Sequence, residues 1–343
     1  MASAAVGVPE TRFAEHAFGF QNIIGDSAPL RDAIKLATTV ASSRRTTVLL
    51  IGETGTGKEL FARGIHYASA NADEPFVAIN CAAIPESLLE SELFGHERGA
   101  FTGAHSRKQG LLELAGSGAL FLDEVHQLPR QLQPKLLRAL ESRRVRRLGG
   151  LEEFSVNCRI IAAASPLLDQ VVASGEFRED LYYRLNVFSI TLPPLRDRLE
   201  DIEPIARHFL ADETRDYQQP KRFADDAIAA LLVHRWPGNV RELKNVVERA
   251  AILSADSPVV RGEHLMIQRR TARVSTAEPS LGEIRIPAGG KLLADIEREA
   301  VAITLRVAGG NQAAAARMLG ISRPTLAKKL ATLDTANGEI ANQ

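Results

Sequence analysis

Two segments of the chain carry residues that could bind and hydrolyse a nucleotide. The first, Gly52–Glu59, follows an apolar run and contains three glycines and Lys58. Glycines let the backbone curl so that successive N–H groups face phosphate oxygens, while a lysine reaches the terminal phosphates. The second, Gly118–Glu124, is an apolar run that ends in two adjacent carboxylates. There Asp123 can hold Mg²⁺ through water, and Glu124 can polarise the water that attacks the γ-phosphate.

Each segment also has a plain structural interpretation, a glycine-rich turn in one case and a solvated turn in the other. Both occur in one chain, about seventy residues apart, which favours a hydrolase of ATP or GTP. Glu59 stands where the usual pattern has Ser or Thr, so the usual hydroxyl ligand for Mg²⁺ is missing from the loop. The predicted phosphate-binding residues are Gly52, Glu53, Thr54, Gly55, Thr56, Gly57, Lys58 and Glu59.

Short β-branched runs alternate with helical stretches over the first half of the chain. Each run is apolar almost throughout, as expected of strands buried on both faces, and the helices between them indicate a mostly parallel sheet and an α/β fold. The carboxyl ends of parallel strands collect at one edge, where ligands bind. The predicted strands are Thr47–Ile51, Phe76–Asn80, Ala119–Leu122, Arg159–Ala164 and Val187–Leu192.

The rest of the chain is helical and is interrupted by one linker. Strands stop after about residue 192 and helical periodicity continues, which predicts a smaller helical subdomain. Prolines and glycines then indicate a linker, and an Ala-rich helical unit follows it. The predicted organisation is a short tail (1–18), an α/β subdomain (19–192), a helical subdomain (193–268), a linker (269–290), a helical domain (291–333) and a tail (334–343).

Composition excludes several classes of protein. The chain has 343 residues, with 42 Lys and Arg against 42 Asp and Glu, so it is not a uniformly basic coat for nucleic acid. Two cysteines cannot form a disulfide framework, and no Cys/His cluster has zinc spacing. No apolar run approaches the roughly 20 residues that cross a bilayer, and the start has no signal-peptide pattern. These features predict a soluble, cytoplasmic protein.

The nucleotide segments resemble those of a known family. Glu59 directly after the lysine is anomalous for phosphate loops in general. It is the residue found there in the AAA+ ATPase domain of bacterial enhancer-binding proteins, the NtrC-like activators of sigma-54 RNA polymerase. The resemblance covers about residues 20 to 265. It implies an AAA+ P-loop parallel sheet with a helical lid, ATP and Mg²⁺ as ligands, and an adenine pocket that includes Ile24 of the segment Ile23–Gly25.

The resemblance also assigns catalytic roles outside those two segments. It implies that Asn80 pairs with the catalytic Glu124 and switches its orientation with the nucleotide state. Arg178 and Arg184 match the family's arginine-finger segment, although an ordinary amphipathic helix with two exposed arginines would look the same. A finger that acts on a neighbour's ATP contributes about 10³–10⁵ in rate. Such fingers imply a homo-oligomer, a hexameric ring as in the family with a dimer at rest.

One sensing position departs from the family pattern. After Arg159–Ala163 the family usually has threonine and then asparagine, but this chain has Ala164 and Ser165. Ser165 can still donate a hydrogen bond at the nucleotide site. Slow or weakly coupled hydrolysis is one expected consequence.

The lid segment Trp236–Leu243 is predicted to open a helix. Asn239 is a good N-cap, and Glu242 three residues later completes a capping box. These two residues therefore have a purely structural explanation. Arg241, in the first turn, matches the arginine that senses the nucleotide phosphates in the family.

A glycine-rich loop indicates which kind of AAA+ protein the chain resembles. Gly95, Gly99 and Gly103 would each cost a helix roughly 1 kcal/mol, which predicts a mobile loop. One interpretation is a surface loop whose phenylalanine folds back onto the core. Six consecutive residues nevertheless match the family's sigma-54 contact loop letter for letter, namely Gly99, Ala100, Phe101, Thr102, Gly103 and Ala104.

The C-terminal helices carry a local positive charge in a neutral chain. Residues 309–333 hold four basic side chains and no acidic one, as phosphate binding requires. A helix, a turn at Gly320–Ile321 and a second helix capped by Ser322 resemble the Fis-type helix-turn-helix of the same activators, the alternative being a helical hairpin for dimer packing. The predicted DNA-binding residues are Arg317, Ser322, Arg323, Thr325, Lys328 and Lys329.

These motifs together predict an ATP-hydrolysing transcriptional activator. It would bind double-stranded DNA upstream of promoters and remodel sigma-54 RNA polymerase from the closed to the open complex. Only about eighteen residues precede the ATPase, so no N-terminal regulatory domain is expected; the chain is then controlled by a regulatory protein in trans, works in a mixed pair, or is a truncated product. Two rival functions are an AAA+ remodeller of another protein or of DNA, and a DNA-binding repressor whose nucleotide site only sets its oligomeric state.

Overall fold

A computed structural model describes residues 19–215, 220–255, 257–267 and 291–338. The predicted N-terminal tail (1–18) and linker (269–290) lie outside these described residues. The chain divides into two compact units, Met1–Ile267 and Gln268–Gln343. Among the helices of the described part, none is long and apolar enough to cross a membrane.

The first unit is built around a five-stranded parallel sheet. The described strands of this unit, in chain order, are β1 (Val48–Ile51), β2 (Phe76–Asn80), β3 (Gly95–His96), β4 (Lys108–Gln109), β5 (Ala119–Asp123), β6 (Arg144–Arg146), β7 (Glu153–Ser155), β8 (Arg159–Ala164), β9 (Phe188–Thr191), β10 (Arg222–Phe223) and β11 (Val259–Val260). Five of them form the central sheet, and the others form two-stranded pairs. The central sheet has the order β2-β5-β8-β1-β9, and all its pairs are parallel. All five strands predicted from the sequence are confirmed, each within one residue at either end.

Helices cover both faces of this sheet. On the sheet lie α1 (Ala28–Ala41), α2 (Lys58–Tyr67), α3 (Glu86–Phe94), α4 (Leu111–Leu114), α5 (Gln133–Ser142), α6 (Leu168–Ala173) and α7 (Glu179–Leu185). Helices α8 (Ile202–Glu213), α9 (Asp225–Val233) and α10 (Asn239–Leu253) follow them and have a core of their own. Val48 and Leu50 of β1 pack with α1 and α2, whereas Leu49 packs with α3 to α7 on the opposite face. Burial on both faces is the reason that the strands are unbroken apolar runs.

Helices α8, α9 and α10 form the lid around Trp236. The indole is fully buried, and its N–H donates to the Leu231 carbonyl at 2.9 Å. Asp201, which is 1% exposed, joins the lid to the start of α1. Its carboxylate accepts the backbone N–H groups of Asp26 and Ser27 at 2.8 and 2.9 Å and the Ser27 hydroxyl at 2.6 Å. Because hydrogen bonds to a buried charge are strong, this contact fixes the lid to the sheet.

Two antiparallel hairpins lie beside each other in the first unit. The pair β3–β4 frames residues 97–107, and β6–β7 frames residues 147–152. The Arg147 guanidinium is buried and donates to the carboxylates of Glu97 at 2.8 Å and Glu113 at 2.7 Å. For the basic run Arg143–Arg147 the sequence favours a solvated hairpin or a subunit interface over nucleic-acid binding. The run does form a hairpin edge, and its last residue joins the two hairpins.

Within residues 291–338 the second unit consists of helices α11 (Leu293–Val307), α12 (Gln312–Met318) and α13 (Arg323–Gly338). Val301, Ala315, Ala316 and Leu326 form its buried core. The Asn311 side chain caps α12 by accepting the N–H groups of the second and third residues that follow it, at 3.0 and 3.2 Å. Helix α13 continues past residue 333, where the sequence predicted the domain to end.

Candidate nucleotide-binding site

The loop Gly52–Glu59 runs from the end of β1 into α2, as the sequence predicts. Gly55 and Gly57 have φ angles of 81° and 103°, a region that residues with a Cβ rarely adopt. The Lys58 ammonium is buried and donates to the Gly52 carbonyl at 2.9 Å. The loop therefore presents a curled backbone and a buried lysine at a helix N-terminus, which is the arrangement that binds phosphate.

Asp123 and Asn80 lie side by side at the carboxyl edge of the sheet. Pairing of β2 with β5 puts the two residues in register, and Asn80 Nδ2 donates to Asp123 Oδ2 at 3.1 Å. Asn80 therefore pairs with Asp123 here and not with Glu124 as expected, because the register decides which side chains are neighbours. Burial, followed by the nearby Glu124 charge, raises the pKa of Asp123. A cation bound at this edge would stabilise the charged carboxylate.

The Glu124 carboxylate lies between a lysine and a histidine. Lys58 Nζ is 3.7 Å from Glu124 Oε1, and His126 Nδ1 is 3.4 Å from Oε2. Neither contact has the geometry of a hydrogen bond. The carboxylate, 19% exposed, thus lies between a lysine charge and an imidazole ring without a hydrogen bond to either.

His126 is a site residue that the sequence reading missed. Its side chain is 7% exposed, and Nε2 lies 3.3 Å from Ser165 Oγ, just after β8. Ser165 thus reaches Glu124 through His126. Burial is the main reason that the pKa of His126 is lowered, so the imidazole is neutral at pH 7. The histidines have no ligand spacing, and the only signal in the sequence was this residue's position two places after Glu124.

The start of α10 contacts the phosphate loop directly. The Val240 N–H donates to the Gly55 carbonyl at 3.0 Å, and Asn239 Nδ2 donates to the Thr54 carbonyl at 3.1 Å. A Cβ placed on Gly55 would lie 3.1 Å from Arg241 Cβ. Arg241 is therefore adjacent to the loop, where the resemblance implied a phosphate sensor.

The capping box predicted for α10 is only half present. Glu242 Oε2 accepts the Gly238 N–H at 2.8 Å. Asn239, in contrast, has a φ of 51° and is fully buried. Its amide oxygen accepts the Leu195 N–H at 2.8 Å, and its amide nitrogen donates to Glu53 at 3.1 Å. The prediction that Asn239 is the N-cap is wrong, because its side chain joins three segments of the chain.

A bidentate ion pair forms a second connection between the phosphate loop and the lid side. Arg196 donates to both carboxylate oxygens of Glu53, at 2.6 and 2.8 Å. These hydrogen bonds are the main reason that the pKa of Glu53 is lowered. Glu53 was predicted among the phosphate-binding residues, but its carboxylate pairs with Arg196 and Asn239. Its backbone belongs to the cradle, whereas its side chain holds the cradle in place.

An apolar cavity of 210 Å³ opens beside the phosphate loop. Ile24, predicted for the adenine pocket, is one of its walls. Apolar walls with a few polar groups suit a flat heteroaromatic ring. Because the cavity shares Thr56 and Gly57 with the loop, one nucleotide can place its base here and its phosphates in the cradle. The lining residues are Asn22, Ile23, Ile24, Thr56, Gly57, Leu60, Phe61, Arg198, Ile205, His208, Phe209 and Val240.

Comparisons with known proteins match three consecutive parts of the chain. Residues 23–191 match the sigma-54 interaction domain, residues 196–280 the AAA+ ATPase lid domain, and residues 292–333 the Fis family of bacterial regulatory proteins. The chain is 45% identical over 309 residues to the transcriptional regulatory protein ZraR of Klebsiella oxytoca, covering 90% of this chain and 68% of ZraR. It belongs to the sigma-54-dependent transcriptional activators.

Further relatives in this activator family show comparable similarity. The chain is 45% identical over 318 residues to the Nif-specific regulatory protein of Azotobacter vinelandii, covering 92% of this chain and 60% of that protein. It thus spans about three fifths of that relative's length. A crystal structure of NtrX from Brucella abortus in complex with ATP superposes with a TM-score of 0.67 at 34% identity, covering 91% of this chain and 69% of the NtrX chain. The predicted AAA+ α/β fold with a lid and a helix-turn-helix is confirmed.

The two candidate arginine fingers of this sigma-54-dependent activator contact other elements. Arg178 directly precedes α7 and pairs with Asp180 at 2.6 Å. The Arg184 guanidinium donates to the Leu140 carbonyl at 3.1 Å. In the described ranges, neither arginine contacts the phosphate loop or Glu124 of its own chain. Both residues are exposed, so they are accessible to a neighbouring subunit.

The activator's Gly99–Ala104 loop is closed on itself at the surface. The Gly99 N–H donates to the Ala104 carbonyl at 2.9 Å. Gly99 and Gly103 have φ angles of 80° and 103°, and a Cβ on either would meet nothing within 4 Å. Phe101 is 42% exposed and packs edge-on against His96, with ring centroids 5.0 Å apart. Phe101 is thus partly exposed and partly packed on the buried His96 ring.

Most of the predicted DNA-binding residues are exposed. Ser322 Oγ accepts the Thr325 N–H at 3.3 Å, which confirms the predicted N-cap of α13. Lys329, in contrast, pairs with Glu297 of α11 at 2.5 Å, so part of its charge is neutralised within its own unit. The exposed members of the set are Arg317, Ser322, Arg323, Thr325 and Lys328.

Proposed function

We propose that this chain hydrolyses ATP and thereby converts closed complexes of sigma-54 RNA polymerase with promoter DNA into open complexes. One observation carries the proposal. A single compact unit holds both a nucleotide site and the Gly99–Ala104 loop, which exposes Phe101 and Thr102 and whose sequence matches the family's sigma-54 contact loop. As an activator that acts on promoter DNA, the protein would work in the cytoplasm.

ATP binding needs a base pocket, a phosphate cradle and cations, and the site offers all three. The cavity beside Ile24 would accept the adenine ring. The backbone of Gly52–Gly57 and the N-terminus of α2 would accept the phosphates. Lys58 would exchange its contact with the Gly52 carbonyl for the terminal phosphates, and Arg241 would add a second cation from the lid.

Mg²⁺ fits the carboxyl edge of the sheet beside this cradle. Proteins usually hold Mg²⁺ through one or two carboxylates, with waters and substrate phosphates as the other ligands. Asp123 supplies one such carboxylate, and its raised pKa is typical of a position that a cation would stabilise. When bound, the ion would neutralise charge on the phosphates.

Glu124 is the group that would orient and activate the attacking water. Its carboxylate follows β5 and is not locked by a hydrogen bond, so it can turn toward a water molecule. A positioned base contributes about 10²–10⁴ in rate. Arg178 and Arg184 of a neighbouring subunit would stabilise the transition-state charge, so the active form would be a homo-oligomer. We propose a hexameric ring that forms from a resting dimer.

The two hairpins would carry the nucleotide state to the contact loop. The Glu97 N–H donates to the Leu148 carbonyl at 3.0 Å, and the Glu97 carboxylate accepts Arg147. A shift of β6–β7 would therefore move the base of the loop that presents Phe101 and Thr102. Such coupling is a two-state equilibrium, which the nucleotide shifts only by its different affinity for the two states.

The second unit would hold the activator on double-stranded DNA upstream of the promoter. Helix α13 would enter the major groove, with Arg323, Thr325 and Lys328 at base edges and Arg317 at a phosphate.

The test is open-complex formation by the purified chain with ATP, sigma-54 RNA polymerase and a promoter with upstream sites. Permanganate reactivity of melted bases should appear with ATP and not with ADP. Thr102→Ala should keep ATP hydrolysis and lose melting, whereas the matched control Thr102→Ser should keep ATP hydrolysis and more of the melting. ATP hydrolysis by the wild type without nucleotide-dependent binding to sigma-54 would contradict the proposal and leave a generic AAA+ motor.

A further inference from the structure

The His126 imidazole bridges the ends of two neighbouring strands in the nucleotide site. Strands β5 and β8 pair in parallel, and each is followed by a polar residue, Glu124 after the first and Ser165 after the second. The imidazole lies 3.4 Å from Glu124 through Nδ1 and 3.3 Å from Ser165 through Nε2. Two functional groups on separate strands thus meet through one ring.

The chemistry of the three groups determines which atom carries the hydrogen. Nδ1 is buried without a hydrogen-bond partner at this distance, and a carboxylate presents only lone pairs, so the tautomer with hydrogen on Nδ1 is the one that faces Glu124 without repulsion. The ring is neutral, because burial, helped by the Lys58 charge, lowers its pKa and outweighs the opposing charges of Glu124 and Asp123. Nε2 is then an acceptor, and the Ser165 hydroxyl must donate to it.

We propose that His126 is a positioning residue that orients the Glu124 carboxylate toward the attacking water. Ser165 sets its tautomer, because the hydroxyl stabilises the form with hydrogen on Nδ1. Without that hydroxyl the ring can place its hydrogen on Nε2, and a lone pair would then face the carboxylate. The inference rests on the proposed ATP hydrolysis and adds two side chains to it.

Steady-state ATPase kinetics test the orienting role. His126→Ala should lower kcat by about 10-fold, at the lower end of the loss seen when a supporting partner is removed, and leave KM for ATP within about two-fold. An asparagine amide reaches the Nδ1 position, whereas a glutamine amide reaches the Nε2 position. His126→Asn should therefore recover most of the rate, and His126→Gln little of it. His105→Ala, at an exposed histidine in the β3–β4 loop, is the matched control.

A double-mutant cycle tests the connection to Ser165. Ser165→Ala alone should lower kcat by less than His126→Ala does. Added to His126→Ala, it should change kcat no further, because the two residues act through one path. Two independent, additive losses would contradict the connection.

The tautomer can be measured without turnover. Long-range ¹H–¹⁵N spectra of the histidine rings, recorded without nucleotide or Mg²⁺, should show one neutral ring with hydrogen on Nδ1, assigned by its loss in His126→Asn. Ser165→Ala should shift that ring toward the Nε2–H form.

The outcomes separate this inference from the proposed function. A wild type that does not hydrolyse ATP overturns both. A wild type that hydrolyses ATP while His126→Ala keeps its kcat, or whose ring carries hydrogen on Nε2, overturns the inference alone. If His126→Ala does not fold, the comparison of His126→Asn with His126→Gln tests the inference instead. Equal kcat values for these two variants would overturn the inference.

Discussion

The phosphate loop and the proposed sigma-54 contact loop, Gly99–Ala104, are both rich in glycine, but their surroundings differ. A Cβ on Gly55 would lie 2.3 Å from the Gly238 carbonyl oxygen, whereas a Cβ on Gly99 or Gly103 would meet nothing within 4 Å. Gly55 is therefore needed for both space and φ, whereas Gly99 and Gly103 are needed for φ alone. The chain itself completes the phosphate loop, while the contact loop leaves room for another molecule. Contacts within the chain therefore explain the conformation of the first loop, whereas the role of the second loop can be tested only by an experiment with a binding partner.

Glu124→Gln should have the largest effect and should be confined to the nucleotide site. ATP turnover should fall by about 100-fold or more, because the variant loses the base that orients the water. Binding of a fluorescent ATP analogue should persist, since Lys58 and the cradle are unchanged. Glu141→Gln, an exposed glutamate of α5, is the matched control. Intact turnover in Glu124→Gln would show that another group is the base.

Substituting one glycine in each loop sharpens the contrast between them. Gly55→Ala introduces both a positive-φ alanine and a clash with backbone, so its free energy of unfolding should drop by about 3 kcal/mol or more. Gly99→Ala introduces only the φ strain, about 1–2 kcal/mol. Urea denaturation measures both. Equal losses would mean that the space around the two loops does not matter.

The DNA-binding surface of the second unit should resemble the contact loop, because a substitution there should affect only the binding of a partner. Arg323→Ala should weaken binding to upstream DNA by about 10-fold, the loss of one specific arginine contact, without changing ATP turnover. Arg306→Ala removes an exposed arginine from α11 and serves as the control. Fluorescence anisotropy at one fixed salt concentration makes the comparison, and equal affinities would exclude Arg323 from the interface.

Arg196→Ala should have the smallest effect and should depend on pH. The ion pair with Glu53 is partly exposed, so at pH 7 the loss in free energy of unfolding should be below about 1 kcal/mol. Because Arg196 lowers the folded-state pKa of Glu53, its contribution is present above the unfolded value of about 4.3. It is lost as the pH falls through the lowered folded value. Denaturation at pH 7 and pH 3 tests this, and a loss that does not shrink at pH 3 would contradict it.

The sequence was sufficient to predict structural features that depend only on residues close together in the chain. Five strands could be predicted because burial on both faces makes each an unbroken apolar run. The phosphate loop could be predicted because its glycines and Lys58 are consecutive in the sequence. The same holds for the second helix of the helix-turn-helix, which Ser322 caps and which begins directly after it.

Features that depend on distant residues could not be predicted. His126 meets Ser165 across 39 residues, and Arg196 meets Glu53 across 143. The spacing of Asn239 suits an N-cap, but contacts with Leu195 and the phosphate loop determine its conformation instead. In each case the partner is brought into place by strand register or lid packing, which no local pattern encodes.

The hydrogen bonds from Asn239 and Val240 to the Thr54 and Gly55 carbonyls have a consequence for product release. The lid cannot swing outward without pulling on the backbone that would surround the β-phosphate of ADP. Exit of ADP would then require deformation of that backbone, so the same few atoms that help to hold a nucleotide would also limit how fast the site can reload.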